Sequence, residues 1–467
     1  MKWNQTAAVL LWVVAAVTGC AHYQPRPLAP EKSAAQFDAR RLDDPGLKVF
    51  LSQNGSAPAV WPLPRWDLNS LTLAALYFHP DLAVARAQWR VAQAGVLTAG
   101  ARPNPSVSFS PAYDTQIPGN PSPWIIPVTF DIPLETAGKR GKRIAEAVQA
   151  AESARYSFMA AAWQIRTGVR ASLLDHSLAG RRAELLQRQF AVQTEIVKHL
   201  QDQFDAGAIA RPDLTTAQIA RNKTQLDLGD ALAKQADARS QLAQALGVSL
   251  AALTGVDLEF PAVTNAPAIV TRAAARDVAL RGRADILGAL ADYAVTEADL
   301  RLQLARQYPD LHLGPGYAWN NGNASDNQWS LGATLELPIL DQNQGPIGVA
   351  EARRKLASAK FLALQAQIGA QIDRAVANLQ IAREQWQAGG QLLDAGRQQE
   401  QSAAGQLQAG AGSRLDMLNA QLESASAALT QLDNEGKWLA AGGTLEDALQ
   451  QPADALAAVI QKISTHP

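Results

Sequence analysis

Leu311-His312-Leu313-Gly314-Pro315-Gly316-Tyr317-Ala318-Trp319 is followed, after the polar loop Asn320-Asn321-Gly322-Asn323-Ala324-Ser325-Asp326, by Trp329-Ser330-Leu331-Gly332-Ala333-Thr334-Leu335-Glu336-Leu337. In the second run Trp329, Leu331, Ala333, Leu335 and Leu337 alternate with Ser330, Gly332, Thr334 and Glu336. In the first, Leu311, Leu313, Tyr317 and Trp319 alternate with His312, Gly314, Gly316 and Ala318. Successive side chains of a strand point to opposite faces, so a period of two predicts a hairpin with one apolar and one polar face. Nine or ten residues with Trp and Tyr near the ends match a strand that crosses a membrane beside a wet lumen; a half-buried soluble hairpin has the same alternation.

The first half of the chain carries a less regular counterpart, Pro105 to Tyr113 and Trp124 to Ile132, interrupted by Pro111 and Pro127 and joined by the loop Asp114-Thr115-Gln116-Ile117-Pro118-Gly119-Asn120. Other stretches recur in the same order at offsets of 203 to 205 positions. His79-Pro80-Asp81-Leu82 returns as Arg283-Ala284-Asp285-Ile286, Phe130-Asp131-Ile132-Pro133-Leu134 as Leu335-Glu336-Leu337-Pro338-Ile339, and Ala206-Gly207-Ala208 with Arg211 and Asp213 as Ala409-Gly410-Ala411 with Arg414 and Asp416. Matches in order imply a duplicated unit, read in each half as helix, strand, loop, strand, long helix, glycine-containing tip and helix.

The predicted first repeat spans 68–246, with a hairpin at 105–133 and a tip at 205–213. The second spans 283–440, with a hairpin at 311–338 and a tip at 408–416. Residues 247–282 read as an equatorial linker and 441–467 as a C-terminal segment. Gly141 to Phe204 and roughly Gly348 to Leu407 read as single long helices; at 1.5 Å per residue the first reaches on the order of 95 Å, more than any bilayer, and charges along both exclude membrane spans. Glycine at each tip allows reversal into a returning helix, Pro212 to Leu246 and Leu415 to Leu439. Pro133 and Pro338 stand where strand gives way to helix, since proline lacks a ladder donor yet suits a helix start.

Two hairpins supply four strands, and four cannot close a barrel. An open edge in hydrocarbon leaves backbone groups unpaired at several kcal/mol each, so a membrane reading requires several chains to share one barrel. Two chains give eight strands, whose interior side chains fill; three give twelve and a passage, which transport favours.

The N-terminus sets the compartment. Lys2, an apolar run from Ala7 to Val17 and small residues before Cys20 predict a signal peptide over 1–19. Val17-Thr18-Gly19-Cys20 resembles the bacterial lipobox, which implies lipidation of Cys20 and an anchor in outer-membrane lipid. Residues 20–67, rich in Pro and Ala over Tyr23 to Pro64, read as an extended leader from that anchor. With one cysteine an intramolecular disulfide is excluded. A net charge of -1, from 42 Lys plus Arg against 43 Asp plus Glu, argues against a nucleic-acid partner.

No catalytic constellation is visible, and no cofactor is expected: Gly138-Lys139-Arg140-Gly141-Lys142-Arg143 lacks the form that cradles phosphates. The six histidines, His22, His79, His176, His199, His312 and His466, lack the helical spacing of metal ligands, so no resident metal site is expected either.

Repeat, strand order and tips together resemble the outer-membrane efflux protein family, the TolC-like outer-membrane factors, from about Leu68 to Leu449. Ile132-Pro133-Leu134-Glu135-Thr136-Ala137-Gly138-Lys139-Arg140-Gly141-Lys142-Arg143-Ile144 resembles the barrel-to-tunnel joint of its heavy-metal-efflux branch. The resemblance implies a mainly α-helical chain with a membrane β-barrel portion. It implies a homotrimer with a twelve-stranded barrel on a periplasmic α-helical barrel, docked to a periplasmic adaptor and to an inner-membrane pump of the resistance-nodulation-division class. The implied function is passive exit of metal cations; drug or solvent efflux, a type I secretion duct, and a lipid-anchored coiled-coil structural protein are the alternatives. The family narrows at its periplasmic tips, which makes Gly207, Arg211, Asp213, Gly410, Arg414 and Asp416 candidates for gate and docking surface. Asp213 and Asp416 also suit the start of a returning helix, with or without a gate. The basic cluster Lys139, Arg140, Lys142 and Arg143 opposes the macrodipole at a helix start; anionic lipid headgroups and plain solvation are the two readings of it.

Overall fold

The computed structural model describes residues 22–113, 115, 124–260, 271–320 and 327–451. The signal peptide, Cys20 and most of both hairpin loops lie outside the described residues.

Two short helices, α1 (Pro30–Asp38) and α2 (Pro45–Gln53), precede the first repeat, so the leader is not simply extended. Proline occupies the first turn of each, where its missing N–H costs nothing, and Asp44 caps α2 by accepting from the Gly46 and Leu47 amides. Leu47 and Leu51 then bury fully against the body.

The first repeat runs through α3 (Leu68–Phe78), α4 (Pro80–Ala99), the strands β1 (Ser106–Phe109), β2 (Ala112–Tyr113) and β3 (Trp124–Leu134), then α5 (Lys139–Asp205) and α6 (Arg211–Leu246). The second runs through α7 (Arg272–Gly282), α8 (Ala284–Ala305), β4 (Leu311–Asn320), β5 (Gln328–Leu335), α9 (Gln344–Gln408) and α10 (Arg414–Leu449). The long helices have 67 and 65 residues, and the returning helices 36 each. Two expected boundaries move. The equatorial linker contains α7, the 11-residue counterpart of α3, so the second repeat begins at Arg272; and α10 passes residue 440 to end at Leu449.

The strands form one antiparallel sheet in the order β1-β3-β4-β5, with β2 pairing β3 beyond the break at Pro111. Pro127 does not interrupt β3, which is continuous; it lies opposite the gap between β1 and β2 and pairs with Ala318 on the other side. The register sets Val107 beside Phe130, Ile126 beside Trp319, Val128 beside Tyr317, Ile132 beside Leu313, and Tyr317 beside Trp329, all on one face. The opposite face carries Ser106, Ser108, Thr129, Asp131, His312, Gly316, Ser330 and Thr334. The apolar face is uncovered: Trp329 is 84% and Leu331 77% exposed. An open apolar surface of this kind needs a partner or a lipid phase.

Below the sheet, two related cores hold the helices. One packs the leader (Leu47, Leu51, Trp66) and α3 against Phe158, Val169 and Leu173 of α5 and Leu242 and Leu246 of α6. The other packs Ala275 and Ala279 of α7 against Ile368, Ile372 and Ala375 of α9 and Trp438 and Leu445 of α10, where Trp386 and Trp438 stack at 4.5 Å. The halves join along α5 and α10, where Arg166 and Arg170 meet Glu446, Arg181 meets Glu435 and Arg182 meets Asp433. Gly443 leaves room beside α10 for the Arg170 guanidinium, which a Cβ there would overlap. The antiparallel register of these pairs brings both tips to the same end of the molecule.

Gly247 ends α6 with φ +71, and a Cβ added there would lie 2.8 Å from His79 Cα and 3.1 Å from Phe78 O; at Gly410, φ +73, nothing lies within 4 Å. Both Gly→Ala changes carry the left-handed penalty of roughly 1–2 kcal/mol. Only Gly247→Ala adds overpacking, typically about 1–3 kcal/mol. Gly247→Ala is therefore expected to lower the melting temperature clearly more than Gly410→Ala. Equal shifts in calorimetry would contradict the packing at the α6 terminus.

Candidate functional site: joint, inner face and tips

At the joint the chain passes from β3 to α5 through Ala137 and Gly138, both at positive φ. Pro133 is the penultimate residue of β3, opposite His312, while Pro338 lies three residues past β5 in the connection to α9. Neither proline begins its helix. α5 starts at Lys139 and α9 at Gln344, a few residues earlier than the expected Gly141 and Gly348, because the left-handed turns at Gly138 and Asn343 set the helix start.

The basic cluster has intramolecular partners. Buried Lys139 donates from Nζ to Asp310 Oδ1 at 2.8 Å, and Asp310 also accepts from the Thr136 amide at 2.9 Å. Arg143 forms a two-pronged pair with Glu135 and donates to the carbonyls of Ala99 and Ala101; Arg140 donates to the Gly100 carbonyl at 2.7 Å. Lys142 reaches the Ala137 carbonyl at 2.7 Å. These carbonyls at 99–101 lie at the C-terminal end of α4, the negative end of its dipole, so cations that oppose one helix start favour the neighbouring helix end. This explains positive charge at the first turn of α5. The second repeat lacks the cluster, and there Asn343 Nδ2 donates to Gln303 O at 2.7 Å.

Burial alone would raise the Asp310 carboxyl, but the hydrogen bonds from Lys139 and the Thr136 amide outweigh it and hold it below the usual carboxylate range. A carboxylate depressed on folding contributes stability above its unfolded value and loses it as pH falls through the folded one. The Thr136 amide should therefore stay protected against hydrogen exchange until the pH drops below the ordinary Asp range. Lys139→Met should shift that loss to higher pH; an unchanged pH profile would contradict the clamp.

On the polar face of the sheet, His312 Nδ1 lies 3.0 and 3.1 Å from the two Asp131 oxygens. The sequence marks neither residue as a site, since helical spacing is blind to a diagonal pair across strands 181 residues apart. In the sequence Glu135 and Asp310 are readable only as a carboxylate within the joint motif and a Pro-Asp turn before β4.

At the tips, Gly207 and Gly410 take φ +71 and +73 and reverse the chain. Ser413 and Asp416 form a capping box: the Asp416 amide donates to Ser413 Oγ at 3.1 Å and the Ser413 amide to Asp416 Oδ2 at 3.1 Å. The Ser413 hydroxyl and amide hold the exposed Asp416 carboxyl below its ordinary range. Asp213 stands in the first turn of α6 behind Ala210, which offers no side-chain cap. Arg211, Asp213 and Arg414 are exposed and have no side-chain partner among the described residues. The related tips thus differ: one acidic residue is committed to its own helix and the other is open.

Among the described residues no helix is long and apolar enough to cross a membrane, and no group of three or more His, Cys, Asp or Glu is placed to hold a metal ion. The chain is 26% identical over 411 residues to the cobalt-zinc-cadmium resistance protein CzcC of Cupriavidus metallidurans, covering 87% of this chain and 96% of that one. It is 26% identical over 345 residues to the nickel and cobalt resistance protein CnrC of the same organism, covering 68% and 72%. In fold it is similar to the outer membrane protein VceC of Vibrio cholerae, with TM-score 0.68 and 19% identity over 83% of this chain and 97% of that one. It is likewise similar to the outer-membrane channel OprN, with TM-score 0.68 and 20% identity over 93% and 99%. The outer membrane efflux protein family matches at residues 72–248 and again at 275–450, one match for each repeat just described. With its duplicated helices and two-faced sheet covered by both matches, the chain belongs to the outer membrane efflux protein family.

Proposed function

We propose that three copies of this chain form one passive duct from the periplasm across the outer membrane, the exit of a tripartite system that exports divalent metal cations. The observation that carries this reading is the sheet: one exposed apolar face, one polar face, and two edge strands, β1 and β5, whose outer edges meet no other strand among the described residues. With β1 and β2 counted as two segments of one strand along β3, four strands per copy make twelve in a trimer, enough to leave a passage, and the long helices, about 100 Å at 1.5 Å per residue, suit a periplasmic tunnel below it.

The metal cargo is supported by similarity along nearly the whole of a cobalt-zinc-cadmium resistance protein. Lipidation at Cys20 would tether each N-terminus to the same membrane, several acyl chains holding far more firmly than one. The tips form the gate and the docking surface for a periplasmic adaptor, which links the duct to an inner-membrane pump. Arg211, Asp213 and Arg414, lacking side-chain partners among the described residues, pair across copies in the closed state and exchange those partners for adaptor contacts on opening, a two-state element biased by a ligand.

Deleting the gene from its host should lower tolerance of cobalt, zinc or cadmium salts, and restoring it should return that tolerance; unchanged tolerance of all three would reject the cargo. In planar bilayers Asp213→Ala is expected to raise the basal single-channel conductance. Asp416→Ala should change it less, because that carboxylate serves the capping box, and a larger effect from Asp416→Ala would reverse the assignment.

A further inference from the structure

We infer that His312, oriented by Asp131, is a transient coordination point for divalent transition-metal cations on the inner face of the duct; this rests on the reading of the chain as a metal exit. His312 stands near the helix-proximal end of β4, opposite Pro133 on one side and Thr334 on the other. The rest of the polar face of β4 is nearly bare, with Gly314, Gly316 and Ala318. Asp131 falls opposite Gly314 in the register that pairs Ile132 with Leu313, and with no side chain there it leans diagonally to reach the imidazole at 3.0 Å. Both side chains remain about half exposed, His312 at 42% and Asp131 at 48%, although they bond each other.

The geometry is that of a metal-ready imidazole. When one ring nitrogen donates to a carboxylate, the tautomer is set and the other nitrogen presents its lone pair outward. Here Nδ1 faces Asp131, which leaves Nε2 without a hydrogen-bond partner among the described residues. Imidazole suits zinc, nickel and cobalt, whereas magnesium prefers oxygen ligands. One imidazole, completed by water, binds weakly. That weakness is what a duct requires, since cargo must leave as readily as it enters. In a trimer the inner face would carry three such points at one level, just above the passage from helices to barrel.

The test is single-channel recording of the purified full-length protein in potassium chloride, with zinc or magnesium chloride added. Zinc should reduce the potassium current and magnesium should not. His312→Ala should abolish the zinc effect, and Asp131→Ala should raise the half-blocking zinc concentration about tenfold, the usual loss when an orienting carboxylate is removed. His312→Gln, close in size to the native residue, should leave the potassium conductance intact and still lose the zinc effect, which separates ligation from folding. Equal block by magnesium, or zinc block unchanged in both His312 variants, would overturn this inference and leave the duct standing. No conductance from the wild-type protein would overturn both.

Discussion

One sheet governs the rest of this molecule: four strands, counting β1 and β2 as one broken strand, with an exposed apolar face and two outer edges that meet no other strand among the described residues. Each edge presents backbone N–H and C=O groups, and in hydrocarbon each unpaired group costs several kcal/mol, more than side-chain packing along so short a strand returns. Closure by neighbouring copies removes that cost. It also fixes which face looks inward, because a one-residue slip in register would turn Trp329 and Leu331 toward water and Ser330 toward lipid.

The helical portion meets a different constraint. Helices of 67 and 65 residues cannot each bury a broad apolar stripe and still leave a wet interior, so apolar packing is concentrated in two cores near mid-length. Further along, the halves are tied by ion pairs from α5 to α10 and by small residues that let the helices approach. Exposed pairs of this kind are each worth at most about 1 kcal/mol, which accords with the opening at the tips proposed above.

Much of this was legible in the residues. The period-two alternation of Leu311 to Trp319 and Trp329 to Leu337 fixed both faces of a hairpin, because strand side chains alternate whatever their tertiary surroundings, and the structure adds only that β5 stops at Leu335. The duplicated tips were readable because Gly207 and Gly410 hold conformations that glycine tolerates best. The start of the second repeat was not: α7, Arg-Ala-Ala-Ala-Arg-Asp-Val-Ala-Leu-Arg-Gly, is polar where α3 is almost wholly apolar, so the two share a place in the fold and not a composition. The leader helices were hidden by prolines that begin them, and the joint by partners far apart in sequence, Lys139 and Asp310 being 171 residues distant.

Closure of the barrel requires β1 of one copy to pair with β5 of the next. This pairing can be trapped by placing one cysteine at Val107 and a second along Leu331 to Leu335 in the membrane-embedded protein, whose one native cysteine lies at position 20, and oxidising. Disulfide-linked species are expected to end at three chains and to form only between positions on the same face of the sheet. A protein that stays monomeric under every pairing, or ladders that continue past three, would contradict it.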